Sequence, residues 1–571
     1  MNRKISKPLT ALLAMALSVN LVLAGCSKSN NNPSASSESA SPSVAVSPSA
    51  SASASVDPNE PAWKKDTSPF TFTQYFYGTW ATNYLWKDQY AAKLITDKTG
   101  VKIDRFLATG NDDEYLNTMI ASGDLPDSIM LDWGNPAVSK LIKNDQVYSL
   151  NELIDKYAPK MWDVLDKEMV QYHSVDGKLY YVPNFYETKD RLQSEIPPIG
   201  IRPWFIRKDI YAALGNPKIE SPDDLLNVLK QAKEKYPDVS SVGLEVFDVN
   251  ANGLKGSRSM DYLIYSFSPN LDQERLKADQ QKIEFPMRNA GFKEAFRYLN
   301  TLSQAGLFDP QLLIYKQEQY EEKLYGANYV VPSQYMDNMY RMYNPKIAST
   351  IGEDKTYQAL DGLKVNGQDP RYPVSRLMGW QGFFITKKAE NPERMIKFLE
   401  YALSDEGQLD FRFGKEGETY DMVDGSPVKK KEIQDLEKND NAAYNAQYGF
   451  DDTTLMWRSG KLWDNAGNKT FIENYPDQFE AMKMLARFNF DNYAMDFNVI
   501  EPEGSTPEGI INGKVKDLWN KTIPKLVLAK SDADFDDAYN TFLGQMDKVG
   551  AEKVEKAMYQ KHLVDLKKKG L

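Results

Sequence analysis

Cysteine and histidine are nearly missing from these 571 residues: the first appears once, as Cys26, and the second twice, as His173 and His562. A single cysteine makes no intramolecular disulfide and no thiolate cluster for zinc or iron–sulfur. Two histidines exclude a metal site or proton relay built on several imidazoles. Positive charge is also in deficit, with 69 Lys and Arg against 80 Asp and Glu, a net charge of −11. That balance argues against a general nucleic-acid binder, which needs a basic surface to displace counterions from phosphates. Long apolar runs are scarce, and the one at residues 9–23 is too short to span a bilayer comfortably. No short-period repeat is present. What remains is ample for folding: 42% hydrophobic and 12% aromatic residues, enough to bury a sizeable core. The length suits three or four ordinary domains or two large ones.

The first 25 residues read as a signal peptide. Arg3 and Lys4 give a positive start, the apolar run follows, and small residues precede Cys26. Leu23-Ala24-Gly25-Cys26 resembles a bacterial lipobox, which implies that Cys26 takes a lipid and becomes the mature N-terminus. Residues 26–65 are rich in Ser, Ala and Pro and poor in large apolar groups. Such a segment cannot offset its ordering entropy by burial, so it is expected to be a disordered tether.

Strand and helix patterns then alternate. Residues 70–75 alternate apolar and polar, and 101–106 and 128–131 read as further strands. A helix with Tyr90, Ala91, Leu94 and Ile95 on one face stops at Gly100, and Asn111 or Asp112 caps the next. Ser221, Pro222, Asp223 and Asp224 form a strong helix start, with a capping hydroxyl, a proline at the first helical position and acids facing the dipole. Strand-like runs return at 204–206, 242–247, 329–331 and 382–386, and the last stretch from about Asp477 is mainly helical. Alternation of this kind predicts α/β layers with a largely parallel sheet.

The order of these segments resembles the extracellular solute-binding proteins of carbohydrate ABC importers, in particular the LipO-like lipoproteins. The stretches that carry the resemblance are 115–127, ending Asp124-Leu125-Pro126-Asp127; 176–183, from Asp176-Gly177 to Val182-Pro183; 204–209 with Leu214-Gly215; and 379–386 with Asn391-Pro392-Glu393. Residues 404–407 and 414–417 follow in order. The resemblance implies a two-lobed periplasmic-binding-protein-like fold of type II, with a hinge, an interlobe cleft and extra C-terminal helices. Mapped here, the first lobe takes 66–197 and 346–418, and the second 198–345 and 419–571.

Such a protein captures a solute without changing it. A pyranose presents a face of C–H groups and a rim of hydroxyls, so flat rings match the face and carboxylates or amides the rim. Ligands sit outside the carboxyl ends of strands in open α/β sheets. The expected ligand residues follow from that rule. Tyr77 and Trp80 lie in the loop after the first strand, and Asp132 and Trp133 directly follow the third. Gln334 and Tyr335, and Trp380 and Gln381, occupy positions where the resemblance implies stacking aromatics. Trp204 begins an apolar strand and is expected in the core. Trp457 and Trp463, around Arg458, are weaker candidates for a longer cleft, and Asp127 is expected to fix its turn. Arg202, Arg207, Arg376 and Arg458 would neutralise uronates if they reached the cleft.

Residues 248–253, Asp-Val-Asn-Ala-Asn-Gly, resemble the start of an EF-hand loop. Its twelfth position is Ser259, not a bidentate Glu, and Lys255 and Arg258 add repulsion. No strong calcium site, no other metal and no cofactor is expected. His173 is expected at the surface or in the hinge, and Lys429, Lys430, Lys431, Lys567, Lys568 and Lys569 on solvated faces. The expected protein is therefore a monomeric, lipid-anchored receptor on the outer face of the cell membrane. It binds an oligosaccharide and partners ABC permease subunits. Two alternatives stay open: a surface glycoside hydrolase or lyase, which needs paired carboxylates or a cation and a base, and a peptide receptor on the same fold.

Overall fold

The computed structural model describes residues 60–78, 81, 86–184, 186, 198–244, 257–374, 378–450, 471–497 and 500–571. Cys26, the signal and tether up to residue 59, Trp80, the 248–253 turn, Arg376, Trp457, Arg458 and Trp463 lie outside the described residues. The strands that position the site are β1 (Phe70–Phe76), β2 (Val101–Phe106), β3 (Ser128–Asp132), β4 (Tyr181–Pro183), β5 (Phe205–Arg207), β6 (Ser240–Gly243), β7 (Tyr329–Pro332), β8 (Tyr357–Ala359) and β9 (Gln381–Ile385).

Among the described residues β2, β1, β3, β9 and β4 form a five-stranded sheet in that order. β1 runs parallel to β2 and β3, whereas β9 runs antiparallel to β3 and β4. The expected largely parallel sheet is thus mixed, because β9 is laid down by a chain returning from the other lobe and enters where its neighbours leave. Successive side chains alternate faces. Met130 and Phe383 join a core with Phe72, Ile103, Leu399 and Phe411. Ile129, Leu131 and Phe384 join another with Tyr75, Leu116 and Leu141.

A separate core belongs to the second lobe. Trp204, Phe205, Val242, Tyr262, Phe296, Tyr329 and Trp519 pack together there. It is built on the parallel pair β6–β7 and the antiparallel pair β5–β8. The C-terminal helices Pro507–Val527, Asp532–Lys548 and Ala551–Lys568 close it. Trp519 sits 4.9 Å from Phe296 and 5.2 Å from Phe542, centroid to centroid.

Tyr357, Leu360, Leu363 and Tyr372 pack in the second lobe, since β8 pairs with β5 before the chain leaves. Ile433, Tyr444 and Phe450 pack in the first, under the helices Lys431–Asn439 and Asn441–Tyr448. Local signals were more dependable. Asn111 caps its helix by accepting from the Glu114 N–H, and Ser221 with Asp224 forms a reciprocal capping box. Asp127, expected to fix its own turn, instead ties that turn to distant segments, accepting from the Thr73 N–H at 2.8 Å and the Glu390 N–H at 3.0 Å. Among the described residues no helix is long and apolar enough to cross a membrane.

Candidate functional site

β1 and β3 leave the first sheet at one end, and β9 begins at that same end, with Gln381 opposite Asp132. The register therefore brings Tyr77, Asp132, Trp133, Trp380 and Gln381 together. Gln381 is fully buried and its side-chain N–H donates to the Tyr77 carbonyl at 2.7 Å. The Tyr77 hydroxyl donates to Asp113 at 2.8 Å, and burial together with this bond pushes the phenol up, so it stays protonated. The half-buried Trp133 donates its indole N–H to the Gly379 carbonyl at 2.9 Å and its backbone N–H to the Trp380 carbonyl at 3.2 Å. Trp380 is 36% exposed, a large apolar ring turned outward.

Asn184 organises this end of the sheet and was not anticipated. Its side-chain oxygen accepts from the N–H groups of Trp380 at 3.1 Å and Gln381 at 2.8 Å, while its own N–H donates to the Gln381 carbonyl at 2.8 Å. The available signal was its place directly after Pro183, at the end of β4. Gly379 has φ +76, and a Cβ there would lie 2.0 Å from the Asn184 carbonyl oxygen. The approach of these two segments thus requires glycine.

His173 is neither at the surface nor free. It is buried behind Trp133, edge-on to that ring at 5.2 Å. One ring nitrogen lies 2.7 Å from the Met378 carbonyl and the other 2.9 Å from the Tyr181 hydroxyl. A carbonyl only accepts, so Nε2 carries the proton and Nδ1 accepts from Tyr181. Burial drives the imidazole down to about 3, hence neutral. Lys569 also departs from expectation. Its ammonium is buried, paired with Asp565 at 2.6 Å and donating to the Tyr493 carbonyl at 2.7 Å. It stands 5.9 Å from the Tyr172 ring, so the chain's last helix reaches the first lobe beside the site.

In the second lobe Tyr335 lies just beyond the carboxyl end of β7 and is 41% exposed. The Arg202 guanidinium lies over its ring at 3.5 Å. Gln334 is fully buried, and its side-chain oxygen accepts the Tyr335 N–H at 2.8 Å. Trp204 is core, as expected, stacked on Tyr262 at 5.9 Å and donating to the Ser259 carbonyl at 3.0 Å. Arg207 is committed to structure, paired with Asp209 at 2.7 Å and bonded to the Ala327 carbonyl.

The lobes also meet through charge. Glu437, on a first-lobe helix, binds Arg341 of the second lobe at 3.2 Å and Lys429 of the first at 3.1 Å. Lys429, expected to be solvated, is buried here and also bonds the Tyr444 hydroxyl. Lys430 and Lys431 pair with Asp421 and Asp435. Arg341 falls in a π-helical stretch, Met339–Tyr343, shortly after Tyr335. Among the described residues no group of three or more His, Cys, Asp or Glu is placed to hold a metal ion.

Taken with the fold, this arrangement gives an outward ring, Trp380, beside a carboxylate in one lobe and an outward ring in the other, suited to holding a polar solute with flat apolar faces. A fructooligosaccharide ABC transporter substrate-binding protein of Streptococcus pneumoniae serotype 4 is 26% identical over 317 residues, 54% of this chain and 56% of that protein. The alignment thus spans little more than half of that relative's length. Lipoprotein LipO of Bacillus subtilis (strain 168) is 22% identical over 411 residues, 70% of this chain and 76% of LipO. The solved structure of the alginate-binding protein AlgQ2 without calcium ion has a TM-score of 0.64 at 19% identity, covering 88% of this chain and 100% of that one. Residues 88–412, more than half of the sequence, match the family described as bacterial extracellular solute-binding protein, and the chain belongs to that family.

Proposed function

We propose that this protein is the lipid-anchored, extracellular receptor of an ABC importer, capturing an oligosaccharide between its lobes by hinge closure. The observation that carries the reading is the exposed Trp380 ring beside Asp132 and Trp133, with Tyr335 as its counterpart on the second lobe. A ligand that touches both sets does so only in the closed state, and this differential affinity drives closure. Trp380, Trp133, Tyr335 and Asp132 supply the contact. The buried amides of Gln381 and Gln334 hold the backbone that carries them. The names of the relatives, sugar receptors and a lipoprotein among them, support the sugar and the anchor. Cys26 takes the lipid, residues 26–65 supply reach from the membrane, and the closed monomer is presented to the permease. No bond in the sugar is broken.

A thermal-shift screen tests the reading, using fructooligosaccharides and uronate oligosaccharides as probes. At least one is expected to raise the melting temperature and bind saturably. Trp380→Ala is expected to weaken that binding roughly tenfold to a hundredfold, for a ring face contributing about 1.5–3 kcal/mol. Release of shortened sugar at a catalytic rate, or indifference to every oligosaccharide, would overturn it.

A further inference from the structure

We propose that Arg202 is a positioning residue: it forms the floor on which the Tyr335 ring lies, and so fixes the plane that the second lobe offers to a sugar. The inference rests on the oligosaccharide reading above and extends it to a residue that does not touch the sugar.

Arg202 is only 8% exposed, yet its guanidinium stands 3.5 Å from the centre of a ring whose residue is 41% exposed. At that separation a planar cation covers one ring face in van der Waals contact. The exposure of Tyr335 therefore falls on the opposite face and the edge. The two segments are also joined through their backbones. Trp204 pairs with Ser333 and the Gln334 N–H donates to the Pro203 carbonyl at 3.4 Å. Trp204 itself is anchored in the core by Tyr262 and Ser259. Arg202 is thus tied to a rigid part of the lobe, and Tyr335 lies on top of it.

A tyrosine standing in solvent loses rotamer freedom when a sugar stacks on it. A ring already held by a floor loses less, which strengthens binding by roughly threefold to tenfold per ordered side chain. Lysine would not serve, because a tetrahedral point charge gives no flat surface. Arg202 thereby favours sugars that present a flat C–H face to the fixed Tyr335 ring.

The test is a double-mutant cycle with a ligand-free readout. Kestose and alginate trisaccharide binding are measured by calorimetry for the parent, Arg202→Lys, Arg202→Met, Tyr335→Ala and each combination, with folding checked by thermal melts. 3-Fluorotyrosine at Tyr335 reports ring order by fluorine NMR without sugar. Expected are a threefold to tenfold loss for either Arg202 variant, no further loss in the Tyr335→Ala background, and a shifted, broadened fluorine signal in Arg202→Lys. Equal losses in both backgrounds, or a fluorine signal indifferent to Arg202→Lys, overturn the proposal. Binding that Tyr335→Ala leaves unchanged also overturns it while the receptor reading stands. If neither sugar binds, the receptor reading fails for those sugars, and the fluorine signal still decides whether the guanidinium orders the ring.

Discussion

Glu437 joins the two lobes through buried charge, and its removal gives a measurable loss. Its side chain is 9% exposed and lies between Arg341 at 3.2 Å and Lys429 at 3.1 Å. Burial pushes its carboxyl up, but Lys429 and Arg341 outweigh burial and hold it below the ordinary value of 4.5. Glu437→Gln would leave a lysine that is 12% exposed facing a guanidinium that is 31% exposed, with no anion between them. Removing one partner of a buried pair costs about 3–5 kcal/mol. The glutamine oxygen still accepts one hydrogen bond and Arg341 keeps part of its hydration, so the loss falls near about 3 kcal/mol. For a body this large that is a fall of about 3 °C in melting temperature, read by calorimetry. The pH dependence has a definite sign. A depressed carboxylate contributes its stability above the ordinary glutamate value and loses it as pH falls through the lower, folded-state value. The gap between parent and variant should be full near neutrality and close as the solution is acidified below about pH 4. A variant melting within about 1 °C of the parent at neutral pH, or a gap that persists in acid, refutes the reasoning.

Four further outcomes follow from the site. His173 is held neutral, with a folded value of about 3 against an ordinary 6.5, so the parent loses stability as pH falls through that window; His173→Gln should lack this acid-side slope in melting temperature against pH. Gly379→Ala forces a side chain into positive φ and to within 2.0 Å of the Asn184 carbonyl, and should lower the denaturation midpoint by the equivalent of about 2 kcal/mol or more at an unchanged slope. Trp380→Ala should change stability by less than about 0.5 kcal/mol, because the ring faces outward. Trp133→Ala should cost about 2 kcal/mol in thermal melts, because its indole bonds the Gly379 carbonyl and packs on Tyr172 and His173.

What the sequence disclosed was local or ordered along the chain. Alternation in 70–75 anticipates β1, and Gly100 ends its helix in a left-handed cap as expected. A residue directly after an apolar strand falls at the strand's end by geometry alone, which is why the position of Asp132 and Trp133 was legible. Trp380 and Gln381 were proposed by resemblance, and they lie beside this pair because β9 runs the other way, which no local pattern encodes. The rest depends on partners far off in the chain. Lys429 and Lys569 sit in runs of three lysines, and nothing nearby tells which member is drawn inward by Glu437 or Asp565. His173 is buried by Met378, and Asn184 is tied to Gln381. β8 is likewise paired with β5, about 150 residues earlier in the chain.

Residues 378–381 do two jobs at once. The Met378 carbonyl receives His173, Gly379 receives the Trp133 indole, Trp380 shows its ring, and Gln381 opens the strand. Tyr372, six residues earlier, is packed in the core of the other half. Display and support are therefore written in the same few letters. On the proposed receptor reading, an engineer who alters this run to retune preference also disturbs the bonds that hold His173 and Trp133. The freer place to alter preference is the Tyr335 loop, whose floor and anchors all belong to one half.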